Sequence, residues 1–298
     1  MYGKEVSTLQ LAVITDEISQ DLEHALDVMA EYGVRGAELR GLWGTNIADL
    51  SEEQTDRAIS ALKSRGMEVV GLATPFYKCD LKSESATEAG PLHLAKPTDL
   101  SGQMEILRRC MRLAEKFGTR NLRVFTFWKR EALTPEIEKQ IVEAFAEPVA
   151  LAEREGFTLL LENEHACFIG TGVEAGRLAQ KIDSPAFRVV WDPGNAFHAG
   201  ENPFPDGYDA VKEFVTHLHL KDAKMVETEH HGRQPKFCVI GEGEIDYVGQ
   251  FAALRKANYA GWLSLETHFV PTVGSGERGK GTPEDGSRLC LEVLTKMV

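Results

Sequence analysis

FRVVWDPGNAFH, Phe187 to His198, joins an apolar, β-branched half to a half carrying Pro193 and Gly194. Phe187 to Trp191 suits a strand buried on both faces, and the Pro-Gly pair ends it abruptly. Asp192 stands at the break. A carboxylate at the end of a buried strand must be desolvated alone, ion-paired or bound to a cation, and the last two cost far less. Three other apolar runs turn polar in the same way: Phe157 to His165 with Glu162, Thr216 to Asp222 with His217 and His219, and Trp262 to His268 with Glu266. Glu, Asp, His and Glu at four successive strand ends make a ligand set for one divalent cation.

Working outward, the chain alternates strands and helices. Leu9–Thr15, Gly36–Arg40, Met67–Ala73 and Asn121–Phe127 read as the first four strands. Between them lie a helix with Leu22, Leu26 and Met29 on one face and a stop at Gly33, a helix opened by the Ser51/Gln54 capping-box pattern and ended by Gly66, and a helix presenting Met104, Leu107, Met111, Ala114 and Phe117. Thr134 and Pro135 start the next helix, in which Pro148 predicts a kink or a split. Helical stretches near 173–182, 206–214, 245–257 and 283–297 complete the pattern. Eight strands, each followed by a helix, imply an α/β protein with a parallel sheet closed into a single (β/α)8 TIM barrel, its active site at the C-terminal ends of the strands. Glu162 to Asp192 is 30 residues, Asp192 to His219 is 27 and His219 to Glu266 is 47, so the four groups come from four adjacent strands. The polar passages 74–101 and 222–244 are too long for ordinary connections and are expected to be active-site loops.

Composition narrows the function. The 298 residues suit one barrel of about 250 residues plus insertions, and no linker supports a split into two domains. Lys and Arg number 33 against 46 Asp and Glu, a net charge of −13, which repels phosphate backbones and anionic membranes. Five scattered cysteines without a CxxC pair suggest reduced thiols. The N-terminal apolar run is too short for a secretory signal and no stretch approaches a membrane span, so a cytoplasmic protein is expected.

TDEIS (Thr15–Ser19), LLLENEH (Leu159–His165), VVWDPGN (Val189–Asn195), HLHLKD (His217–Asp222), VIGEGEID (Val239–Asp246) and LSLET (Leu263–Thr267) together resemble the xylose isomerase-like TIM barrels of the sugar phosphate isomerase/epimerase superfamily. The resemblance covers almost the whole chain. It implies that Glu162, Asp192, His219 and Glu266 bind one divalent cation, Mn²⁺, Mg²⁺, Co²⁺ or Zn²⁺, and that Glu162 and Glu266 act as an acid/base pair on a small carbohydrate. It also implies a homo-oligomer. Two departures guide the choice among members. Asn195 stands where endonuclease IV has a zinc-binding His, and Pro235 and Phe237 stand where that enzyme has an Asp and a His. Asn195 also replaces the His that contacts substrate in tagatose 3-epimerase and its close relatives.

Around the ligands, Asn195, His198, Lys221, His217, Trp43 and Trp128 are candidates for substrate contact. His217, His219 and Lys221 alternate with Leu218 and Leu220, so all three face the barrel interior. Glu38, Phe76 and His268 also fall at or beyond strand ends, where packing competes with a role in the pocket wall, and His230 and His231 read as solvated. The leading expectation is a divalent-metal-dependent isomerase or epimerase that moves a proton of a small keto-sugar or polyol through an enediolate. A dehydratase or lyase using the same site is the second reading, and a carbohydrate-binding barrel without turnover the third.

Overall fold

The computed structural model describes residues 8–82, 90–272 and 281–298. The N-terminal segment 1–7 and residues 83–89 of the expected loop 74–101 lie outside the described residues. Eight strands, β1 (Gln10–Ile14), β2 (Gly36–Leu39), β3 (Glu68–Leu72), β4 (Asn121–Val124), β5 (Thr158–Glu162), β6 (Phe187–Trp191), β7 (Val215–Leu220) and β8 (Trp262–Leu265), pair in chain order. Every neighbouring pair is parallel, and β1 bonds to both β2 and β8, which closes the barrel. This is the (β/α)8 fold that the alternation implied.

Local chemistry sets the element ends. Ser51 and Gln54 form both halves of the capping box that opens Glu52–Ser64, and Gly118 and Gly156 take left-handed conformations that end Gln103–Phe117 and Pro135–Glu155. Leucine, isoleucine, valine and phenylalanine side chains fill the layer between strands and helices. Inside the barrel the lining is polar instead: Glu38, Arg40, Arg123, Glu162, His217, His219, Ser264 and Glu266 are all buried. Among the described residues no helix is long and apolar enough to cross a membrane.

Four local expectations change. Pro148 does not split its helix, which runs unbroken from Pro135 to Glu155. A proline there cannot donate to the carbonyl four residues back, and the Tyr77 hydroxyl donates to that Ala144 oxygen instead, at 2.7 Å. The fourth strand stops at Val124 because beyond it the N–H groups of Phe125, Phe127 and Trp128 turn to the carbonyls of Phe76, Tyr77 and Cys79. The Pro-Gly half of the opening stretch forms a short helix, Pro193–His198, capped by Asp192, whose Oδ1 accepts from the Asn195 N–H at 2.8 Å. Gly194 is required there, since a Cβ would lie 2.5 Å from Lys221 Cγ. Finally, 222–244 contains an antiparallel hairpin, Asp222–Thr228 with Gly232–Cys238. Its base is held by the Asp222 carboxylate, which accepts from the N–H groups of Ala223, Gly241 and Gly243 at 2.8–3.0 Å.

If Tyr77 compensates for Pro148, Tyr77→Phe costs about 1–2 kcal/mol in the native sequence, the value of a buried carbonyl left unpaired. In a Pro148→Ala background, where residue 148 can donate, it should cost clearly less. Urea unfolding of the double-mutant cycle measures the difference, and additive losses would contradict the assignment.

Candidate metal centre

Glu162 ends β5, Asp192 follows β6, His219 lies near the end of β7 and Glu266 follows β8. One ligand atom from each falls within 4.8 Å of the others, and none of the four residues is more than 1% exposed. The structure thus brings the four expected residues together at one point.

Each acidic residue is held from behind, two through the carboxylate and Asp192 through its backbone. Arg123 Nη1 lies 3.1 Å from Glu162 Oε2, while Asn195 donates to Oε1 at 3.0 Å. The Asn163 side chain pairs with the backbone of Asp192 in both directions, accepting from its N–H and donating to its carbonyl at 2.9 Å each. Glu266 Oε1 accepts from Arg40 Nη1 at 2.8 Å and lies 3.1 Å from His268 Nε2. Arg40 is fixed in turn by Asp16 and Glu17, which explains why the TDE of the first motif follows β1. The Nε2 of His219 faces Glu38, and its Nδ1 lies 3.4 Å from Glu162 Oε1 and 3.5 Å from Glu266 Oε2.

Lys221 sits inside the cluster. Its Nζ is 2.6 Å from Glu266 Oε2, 2.8 Å from Asp192 Oδ2 and 3.9 Å from Glu162 Oε1. Burial works against its charge, but Asp192 and Glu266 outweigh burial and raise its pKa. Burial likewise opposes the charge on Glu266, and His268 and Lys221 overcome it to hold the carboxyl well below the usual range. Asp192 goes the other way: burial, only partly offset by Lys221, pushes it up to about 7. For His219 burial favours the neutral ring, yet Glu38 and Glu162 raise its pKa well above the usual value.

A divalent cation fits the donor set. Glu162 Oε2, Asp192 Oδ2 and His219 Nδ1 are buried without a hydrogen bond, although Arg123 and Lys221 lie close to the two oxygens. Three carboxylates and an imidazole form an oxygen-rich set with one nitrogen, suited to ions such as Mn²⁺ or Mg²⁺.

The other candidates separate. Asn195 is buried between Glu162 and His165, its Oδ1 3.2 Å from His165 Nδ1. His198 is half-buried at the rim, with Nδ1 2.9 Å from the Gly194 carbonyl and its ring 4.1 Å from that of Phe237. His217 lies deeper, on Glu38 and Ser264. Two tryptophans are not brought into the cluster. The Trp43 indole donates to Glu23 and lies under Arg57, both on helices outside the barrel, and Trp128 packs with Phe125 and Cys167. His230 and His231 are exposed near the hairpin turn.

Arg40, Arg123, Asn163 and Phe237 carry contacts that sequence reading did not assign. An arginine inside an apolar strand, as in NLRVF, is the signal that could have found Arg123. Phe237 reaches the site from the hairpin, with its ring 5.6 Å from Lys221 Nζ and 5.5 Å from the His268 ring.

Lys221→Met leaves the buried carboxylates without the ammonium that lies between Asp192 and Glu266, which should destabilise the metal-free protein by about 3–5 kcal/mol. Added Mn²⁺ should then raise the thermal unfolding midpoint more in the variant than in the native protein. Equal shifts would show that the ion and the ammonium do not share the site.

Residues 26–295 match the family described as xylose isomerase-like TIM barrel. Inosose dehydratase of Clostridium perfringens is 26% identical over 156 residues, 48% of this chain and 51% of that protein. The chain thus spans about half the length of this and similar curated relatives. Among solved structures, the probable 3-DHS dehydratase from Bacillus anthracis superposes with a TM-score of 0.71 at 17% identity, covering 96% of this chain and 99% of its own. D-allulose 3-epimerase from Methylomonas sp., in complex with D-allulose, gives 0.70 at 16%, covering 98% of each. With 270 of its 298 residues inside the match, the chain belongs to the xylose isomerase-like TIM-barrel family.

Proposed function

We propose that this protein is a divalent-metal-dependent isomerase or epimerase acting on a small keto-sugar or related polyol. The observation that carries the reading is the pair of buried glutamates, one ending β5 and one following β8, that flank one imidazole. Each has one oxygen against an arginine, Arg123 or Arg40, and the other turned toward the cluster. A carboxylate held this way keeps its orientation while one oxygen remains available for a proton. Glu162 and Glu266 then serve as the acid/base pair, one removing the proton beside the ketone and the other returning it on the opposite face. Bound by Glu162, Asp192, His219 and Glu266, a divalent cation would supply Lewis-acid polarisation of the substrate oxygens. Lys221 and Asn195 lie beside the reacting carboxylates, and His198 and Phe237 line the rim where a sugar would enter. Two contacts support a covering role for the described part of 74–101 and for the hairpin: His93 stacks on His268 from the first, and Phe237 reaches toward that ring from the second.

A dehydratase working in the same site is the second reading. The relative named inosose dehydratase supports it, as does His165. Burial alone would keep that imidazole neutral, but Glu164, 2.9 Å away, outweighs burial and raises its pKa. A half-buried histidine whose carboxylate partner favours its protonated form is placed to give a proton to a departing hydroxyl.

A panel of ketoses and inososes in D₂O separates the readings. With Mn²⁺ present, the hydrogen beside the ketone should exchange with solvent, and chelation should stop the exchange. Glu266→Gln should lower it by at least about 10²-fold, the low end of what a positioned acid/base group contributes. Retained exchange in that variant refutes the role given to Glu266. Exchange accompanied by an epimer supports the first reading, and exchange accompanied by a conjugated enone supports the second.

A further inference from the structure

Below the four-ligand cluster the barrel holds a second group of metal-binding side chains, Glu38, His217 and His219, all buried. His219 belongs to both. Its Nε2 lies 3.1 and 3.2 Å from the two Glu38 oxygens, while His217 Nε2 lies 3.1 Å from Glu38 Oε2 and 2.8 Å from Ser264 Oγ. On composition alone this trio could hold an ion of its own. Hydrogen bonding separates the two groups. In the upper cluster Asp192 Oδ2 and His219 Nδ1 are buried without a hydrogen bond, whereas no polar side-chain atom of Glu38, His217 or Ser264 is among the unpaired ones. A trio whose facing atoms, His217 Nε2, His219 Nε2 and the two Glu38 oxygens, are already paired has no vacancy for an ion.

We infer that Glu38 is a positioning residue for His219: it engages Nε2 and so leaves Nδ1 as the nitrogen that faces Glu162 and Glu266. The inference rests on the metal reading of the upper cluster. Ring orientation is what the contact fixes. Glu38 comes from β2, across the barrel lumen from β7, and its carboxylate is shared by His217 and His219, so neither ring can turn without losing a buried hydrogen bond. Carboxylates that receive the outward N–H of a ligating histidine commonly set metal affinity in this way, and their loss typically weakens binding about 10–100-fold. The stretch GAELR thereby carries two contacts to the ligand set, Glu38 within β2 on His219 and Arg40 just beyond it on Glu266.

The test uses metal alone. Titration of the full chain with Mn²⁺, and with Co²⁺ as a spectroscopic probe, is made on the native protein and on Glu38→Gln and Ser264→Ala. The native chain should take up one ion. Glu38→Gln should bind it about 10–100-fold more weakly and shift the ligand-field bands of Co²⁺. Ser264→Ala, which removes only a contact to His217, should leave affinity and spectrum unchanged. Should the amide variant fail to fold, Glu38→Asp, which draws the carboxylate back by one methylene, carries the same expectation. Unaltered affinity and spectrum on replacing Glu38 overturn the inference, as do two ions per native chain with the second lost in Glu38→Gln. A native chain that binds no divalent ion overturns the metal reading itself and this inference with it.

Discussion

Buried carboxylates at one end of the barrel are the constraint from which the remainder of the site follows. Glu17, Glu38, Glu162, Glu164, Asp192 and Glu266 are all sequestered from solvent, against the buried cations Arg40, Lys78, Arg123 and Lys221. Isolated carboxylates in such surroundings would cost several kcal/mol each, so each must be met by positive charge or hydrogen bonds. The surroundings supply both. Arg40 binds Asp16, Glu17 and Glu266 together, Arg123 faces Glu162, and Lys221 lies between Asp192 and Glu266. Acids still outnumber fixed cations, and a divalent ion or protonated histidine is the natural means of covering the difference.

The parallel barrel makes such a concentration possible. Eight strand ends point the same way, so residues more than a hundred positions apart in the chain arrive at one mouth. The hydrophobic stabilisation comes from the outer layer between strands and helices. Polar side chains can therefore occupy the lumen without removing the core that holds the fold together.

Much of this was legible in the sequence because alternation and strand-end polarity are local signals. Asp192 and Glu162 were visible as carboxylates ending apolar runs, and their coming together followed from the order of elements alone. What faces a residue from another element was not visible. The Tyr77 hydroxyl that lets a helix pass through Pro148 lies 71 residues away in the chain. Trp43 and Trp128 fall just beyond strand ends, as Glu266 does, yet a strand end does not say which way a large ring turns, and both pack elsewhere. The segment 222–244 read as a loop because its polar residues conceal the two-strand pairing, and Phe237, the ring it sends to the mouth, gave no signal of its own.

Each glutamate of the pair faces two ways. Arg40 and Arg123 meet one oxygen of each carboxylate, and the opposite oxygens share the surroundings of His219 Nδ1 and Lys221. On the proposed reading this shared space holds one divalent ion. Crystals grown with Mn²⁺ and measured for anomalous scattering should show a single peak bounded by Glu162, Asp192, His219 and Glu266. A peak elsewhere, or none with Lys221 still resting on Asp192 and Glu266, would contradict it.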